Sequence, residues 1–196
     1  MSASLPEFIE SDRLIIRVAR PGDGAVFNAA ILESLETLSP WLGWVTPAPT
    51  LEESERSCRR AHARFLLNED LMAFFFRKSD GSLVGGSGLH DADWDLRCFE
   101  VGYWGHPKYS GQGLITEGVV ALTDHAMDFL KASRVFLTTD DLNVASWKLA
   151  ERAGFELEGI LRNDRKNLSG DLRNSRVYSR VPVMPPSACN SKEATL

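Results

Sequence analysis

No apolar run in this 196-residue chain approaches the roughly 20 residues that a helix needs to span a bilayer, so no membrane partner is expected. Cysteine is scarce. Cys58, Cys98 and Cys189 are odd in number and far apart, which excludes a disulfide framework, a zinc finger and a Cys-x-x-Cys redox centre. The four histidines are equally scattered, and no metal site is expected. Basic charge is also short, with 22 Lys+Arg against 27 Asp+Glu and a net charge of −5. That balance argues against nucleic acid as the main partner and favours a cationic one, such as an amine. The opening Met1-Ser2-Ala3-Ser4-Leu5-Pro6-Glu7 has neither the basic nor the apolar region of a secretory signal, so a cytoplasmic location is expected.

What is present is an ordinary globular composition, 43% hydrophobic and 25% charged. Residues 1–181 read as one domain without repeats, and residues 182–196, with Pro185 and Pro186, as a flexible tail. Strands are predicted at 12–18, 72–77, 83–90, 97–105, 134–139, 155–161 and 172–181, and helical stretches at 21–38, 50–67, 113–129 and 143–153. Thr50-Leu51-Glu52-Glu53 has the pattern of a capping box. Ile115, Val119, Leu122, Ala126 and Phe129 share one helical face, and Gly154 suits a left-handed cap. The order, hairpins followed by a strand-helix-strand crossover, implies a mixed α/β fold. Asp91-Ala92-Asp93-Trp94-Asp95 begins like a calcium loop, but Leu96 and Gly102 stand where that loop requires Gly and Glu. It reads as a solvated hairpin loop. The basic run 162–176 is broken by Asp164 and Asp171 and reads as a second solvated hairpin.

The most informative segment follows the fourth of these strands: Lys108-Tyr109-Ser110-Gly111-Gln112-Gly113-Leu114-Ile115-Thr116. A helix starting near Gly113 presents unpartnered N–H groups and the positive end of its dipole. Gly111 and Gly113 have no side chain to keep a ligand away, so a phosphate or pyrophosphate is favoured there. A dinucleotide fingerprint would need glycine at Thr116, and a P-loop needs Gly-Lys-Ser/Thr; both fit poorly. A plain strand-to-helix turn is the alternative that two glycines leave open.

This loop resembles the Q/R-x-x-G-x-G/A motif of the GNAT acetyltransferases, with Lys108 at the position usually held by Gln or Arg. Around it, Glu100-Val101-Gly102-Tyr103-Trp104-Gly105-His106-Pro107 and Gly111-Gln112-Gly113-Leu114-Ile115-Thr116-Glu117 are similar to the branch that acetylates ribosomal-protein N-termini, the RimJ/RimL type. So are Asn143-Val144-Ala145-Ser146, Leu149-Ala150-Glu151-Arg152-Ala153-Gly154-Phe155, Glu158-Gly159 and the opening Asp12-Arg13-Leu14-Ile15-Ile16-Arg17. The resemblance spans about residues 8–180 in family order. It implies one central, mostly antiparallel sheet with a parallel pair at the cofactor site, about four flanking helices, and a homodimer. It further implies acetyl-coenzyme A as cosubstrate, with pyrophosphate on the 108–116 backbone and the thioester along Trp104 and His106.

Direct transfer needs a held thioester, a polarised carbonyl, a neutral amine and a proton for the departing thiolate. By resemblance, Ser146 is the acid and Asn143 meets the pantetheine arm; as residues alone, both also suit the start of a helix. Glu100, beside the cofactor strand, is the candidate base or simply a sheet glutamate, and Asp164 is a second carboxylate. Relatives can carry an acid where this chain has Arg165. Trp41 and Trp44 either wall the acceptor groove, as in the family, or pin a loop to the core. An α-amine with a pKa of about 7.7–8.0 costs only about 1 kcal/mol to neutralise near pH 7, against roughly 4–5 kcal/mol for a lysine amine. A chain without an unambiguous strong base therefore suits a protein N-terminus. A small-molecule amine and a non-catalytic acyl-coenzyme A sensor are the competing functions.

Overall fold

Phe74 and Phe75 are neighbours in the chain, yet both are fully buried, one on each face of a sheet. The structure, a computed structural model that describes residues 4–182, builds that sheet from eight strands. They are β1 (Phe8–Glu10), β2 (Leu14–Val18), β3 (Leu71–Arg77), β4 (Leu83–Asp93), β5 (Cys98–Gly105), β6 (Arg134–Asp140), β7 (Glu156–Lys166) and β8 (Leu172–Arg180). The helices are α1 (Gly24–Leu38), α2 (Leu51–Leu66), α3 (Leu114–Asp128) and α4 (Val144–Arg152), with short 3₁₀ turns at Gly43–Val45 and Pro107–Tyr109. The strand order is β1-β2-β3-β4-β5-β6-β8-β7. Every pairing is antiparallel except β5 with β6, which α3 connects as a crossover.

Two apolar layers result. Leu14, Ile16, Phe75, Leu89 and Val101 bury one face against Val119, Leu122 and Ala126 of α3 and Ala150 of α4. Phe74 buries the other against Phe27 and Ile31 of α1 and Cys58 and Ala61 of α2. Burial pushes the Cys58 thiol up to about 12, so it is a small core side chain with no thiolate chemistry.

The α2 start is a complete capping box: Glu53 N–H donates to Thr50 Oγ1 at 3.2 Å, and Thr50 N–H donates to Glu53 Oε2 at 2.8 Å. Its exposed face carries Glu52–Arg56 and Glu55–Arg59 pairs, and Glu55 also accepts the Gly22 and Gly24 N–H groups, joining α2 to the start of α1.

Several expectations are corrected in detail. Phe129, placed by spacing on the buried face of α3, is 69% exposed, because the helix has ended at Asp128 and Leu130, 2% exposed, takes the core position. Strand β1 was not predicted; at three residues with Phe8 exposed, it has no legible alternation. Strand β4 runs on through Asp91 and Asp93, and Trp94 donates its indole N–H to the Asn68 carbonyl at 2.9 Å. The basic hairpin is less solvated than expected, since Arg173 pairs with Asp140 at 2.8 Å and Arg176 with Asp141 at 2.6 Å. The segment 182–196 read as a tail lies outside the described residues, except for Pro182.

Thr50→Ala removes the acceptor half of the cap and is expected to lower stability by about 1 kcal/mol. The measurement is a shift of the urea midpoint with an unchanged slope.

Candidate active site

Strand β5 hydrogen-bonds to β6 only from Cys98 to Glu100, while it stays paired with β4 as far as Gly105 and β6 stays paired with β8 as far as Asp140. From Val101 onward the two parallel strands part, and the backbone of β5 is free on the side that faces β6. A cleft of about 830 Å³ opens at the gap, lined by Val101 to Pro107 and Tyr109 of β5 and its turn, by Leu137 to Asp140 of β6, and by the starts of α3 and α4. That volume is in the range of ligand clefts.

One end of the cleft is the glycine loop. His106 accepts Lys108 N–H on Nδ1 at 3.2 Å, and its Nε2 lies 3.2 Å from Glu33 of α1, which fixes the turn as β5 ends. Tyr109 is buried, its ring against His106 and under the Arg77 guanidinium. Gly111 and Gly113 both adopt left-handed backbone, φ +74° and +73°, and Gly113 is the N-cap of α3. No protein atom lies within 4 Å of where a Gly111 side chain would begin. Ser110, Leu114, Ile115 and Thr116 line the cleft with the two glycines. Lys108 and Gln112 do not line it: the Lys108 ammonium sits over the Tyr109 ring, and the Gln112 carbonyl accepts from Arg13 Nη1 at 3.0 Å.

Arg13 and Glu117 were not singled out by sequence reasoning as functional. Arg13 Nε pairs with Glu117 Oε2 at 2.6 Å, and the Arg13 N–H and Ser11 hydroxyl donate to Glu117 Oε1. Burial raises the Glu117 carboxyl, but these hydrogen bonds outweigh it and hold the group below the ordinary glutamate range. The glycine loop is thereby tied to β2, 104 residues earlier. The signal that could have revealed the pair is the opening Asp12-Arg13-Leu14 itself, whose arginine has no core role.

On the other side of the gap, Asn143 caps α4 by accepting Ser146 N–H at 3.2 Å. Ser146 Oγ donates to the Tyr103 oxygen at 3.3 Å, and Tyr103 donates to the Ser146 carbonyl at 2.8 Å. Burial pushes the Tyr103 phenol up to about 12, so it keeps its proton at neutral pH. Two hydroxyls, one of them half-buried and neutral, thus meet at the wall of the cleft.

A second cavity, of about 390 Å³, lies on the α1/α2 side. Phe27, Trp44, Met72 and His90 line it, and Leu42, Gly102, Tyr103 and Trp104 line both cavities. Trp41 lines the cleft and Trp44 the smaller cavity, its ring stacked on Phe27 at 6.3 Å. Glu100 lines neither; its carboxylate accepts from Thr138 Oγ1 at 3.4 Å, and Thr138 in turn accepts from Arg165, which does reach the cleft. Asp164 is exposed and also outside both.

A sheet parted beside a left-handed glycine turn, with hydroxyls across the gap, defines the acyl-transferase class of α/β protein, and comparison with known proteins makes the family specific. The family model described as "Acetyltransferase (GNAT) domain" matches residues 13–156, and the chain belongs to that family. It is an N-acetyltransferase with the GNAT fold, using acetyl-coenzyme A as cosubstrate. Among curated relatives, it is 29% identical over 158 residues to YdaF of Bacillus subtilis (strain 168), named as a candidate ribosomal N-acetyltransferase, covering 78% of this chain and 83% of that protein. Among solved structures, RimL, a ribosomal L7/L12 α-N-protein acetyltransferase in complex with coenzyme A, superposes with a TM-score of 0.83 at 22% identity over 89% of this chain and 98% of that one. The microcin C7 self-immunity acetyltransferase MccE, in complex with acetyl-coenzyme A and AMP, gives 0.84 at 19% identity over 92% and 99%.

Tyr103→Phe removes both hydrogen bonds that join β5 to α4 and is expected to lower stability by about 1–2 kcal/mol. Denaturant unfolding monitored by far-UV circular dichroism reads this directly.

Proposed function

We propose that the acceptor is the N-terminal α-amine of a protein, such as a ribosomal protein, and that acetyl transfers to it directly from coenzyme A. The observation that carries this reading is the meeting of the two cavities along Gly102, Tyr103 and Trp104. An amine entering the smaller cavity would reach the same stretch of free β5 backbone that faces the cleft, which is the proximity that direct transfer requires. The names of YdaF and RimL support a ribosomal acceptor.

In this reading the amides of residues 111–116 hold the pyrophosphate, with the α3 dipole behind them. The open space over Gly111 and the left-handed turn at Gly113 support that fit. The free N–H groups of β5 past Val101 hold the pantetheine arm and polarise the thioester carbonyl. Ser146, coupled to the neutral Tyr103 phenol, gives the departing thiolate its proton. Trp44 and Phe27 wall the acceptor cavity. The reading keeps the cytoplasmic location and the homodimer that the resemblance implies; the outer edge of β7, which ends the sheet with Leu157, Ile160 and Leu161 exposed, supports a second copy.

A second reading, a small-molecule amine, is favoured by the compact size of the acceptor cavity and by the likeness to MccE, whose structure holds AMP. A panel of N-terminal peptides, ε-amine peptides and small amines, assayed by thiol release, separates the two. With an α-amine acceptor, kcat/KM is expected to rise with pH and level off near about pH 8, where the neutral fraction saturates. Continued rise toward about pH 10, or faster turnover of an ε-amine peptide with a blocked N-terminus, overturns the α-amine assignment.

Gly111→Val puts a branched side chain on a left-handed residue at the proposed cradle. Coenzyme A affinity is expected to fall about tenfold or more by calorimetry while the circular dichroism spectrum persists. Unchanged affinity in the folded variant would place the pyrophosphate elsewhere.

A further inference from the structure

His90 is not a lone histidine. It stands on β4, and its Nδ1 lies 3.0 Å from Asp70 Oδ2, at the turn between α2 and β3. The two partners differ sharply in exposure: the Asp70 side chain is 8% exposed and that of His90 36%. Arg64 Nη1 stands behind the carboxylate at 3.4 Å. A buried carboxylate bonded to Nδ1 selects the tautomer with its proton on Nδ1 and leaves the Nε2 lone pair free. Nε2 has no hydrogen-bond partner among the described residues, and the ring lines the smaller cavity. Glycines make room for it there: a Cβ on Gly88 would stand 2.4 Å from Nε2, and one on Gly102 of the facing strand 3.8 Å from it. Gly102 lines both cavities, so the free nitrogen lies beside the junction where amine and thioester would meet.

We propose that His90 Nε2 is the general base of the acetyl transfer and that Asp70 is its positioning residue. As the amine nitrogen bonds to the thioester carbonyl carbon, it gives one proton to Nε2. The C–S bond then breaks, sulfur leaves with the bonding pair and takes a proton from the Ser146–Tyr103 hydroxyls, and the products are the amide and the free thiol. The other charged or titratable groups that face His90 are Arg64 behind Asp70 and Glu100 as its register partner on β5. Glu100, which lines neither cavity but accepts from Thr138 of the cleft wall, is the competing base.

Magnitudes separate two ways in which the histidine could act. Merely neutralising an α-ammonium near pH 7 is worth about tenfold, whereas removing the proton as the C–N bond forms is worth about 10²–10⁴-fold. The inference rests on acetyl transfer to an amine and not on which amine, so the assay uses whichever acceptor the parent enzyme turns over fastest; an ε-amine winner overturns the α-amine reading and leaves this comparison intact. His90→Ala is expected to lower kcat about 10²-fold or more, to leave coenzyme A affinity within twofold, and to regain part of the rate with added imidazole. Asp70→Asn is expected to lower kcat by an intermediate factor with no response to imidazole. His90→Gln, which keeps a hydrogen-bonding group toward Asp70, serves if the alanine variant does not fold, and should show the same loss in kcat. A kcat loss under tenfold in the folded His90 variant, a larger loss in His90→Ala that imidazole does not relieve, or a 10²-fold loss confined to Glu100→Gln would each overturn the assignment.

Discussion

The parting of β5 from β6 after Glu100 is the constraint from which the functional architecture follows. Each backbone N–H and C=O must find a partner, and in a sheet interior the neighbouring strand supplies it. Here β6 stays paired with β8 on its other edge, and β5 is left half-paired in the middle of an eight-stranded sheet. Free donors and acceptors in a strand walled by apolar side chains are a standing demand for an extended polar ligand. A pantetheine arm, with its own amides, has the chemistry to meet it in the manner of a missing strand.

The parted strands would close or slip if nothing held their ends. Arg13, Ser11 and Glu117 tie the glycine loop to β2 at one end, and Tyr103 with Ser146 ties β5 to α4 at the other. Both ties are polar and partly buried, so each is stronger than an exposed surface pair and is specific in geometry. The His106 contacts with Lys108 and Glu33 add a third anchor, from the glycine loop to α1. The cleft is thus held open by side-chain hydrogen bonds at its rim, while the apolar layers hold the sheet itself.

Period-two alternation then divides the chemistry between faces. Tyr103 leaves β5 toward α3 and α4, where it meets Ser146; Gly102 and Trp104 leave toward α1 and α2, where the smaller cavity lies. Hydroxyls that can protonate a leaving group and a cavity that can admit a nucleophile therefore come from adjacent residues of one strand, on either side of its free backbone.

Much of this was legible in the chain. The capping box at Thr50, the αL stop at Gly154 and the glycine loop before α3 are local features, each written within a few residues. The strand-helix-strand crossover and the mixed sheet followed from their order, and the family from the resemblance of the motifs. What the sequence could not display was any contact between distant segments. Arg13 with Glu117, and His90 with Asp70, are ordinary polar residues until folding brings them within hydrogen-bond distance. Glu100 lies on the right strand, and only the tertiary structure shows that it lines neither cavity, its carboxylate meeting Thr138 of the cleft wall. Sequence alone determined most of the elements, because propensity and periodicity act over a few residues, and the family through the resemblance of its motifs. The tertiary structure decided where β5 leaves β6, and hence which side chains share a cavity, because pairing register depends on strands far apart in the chain.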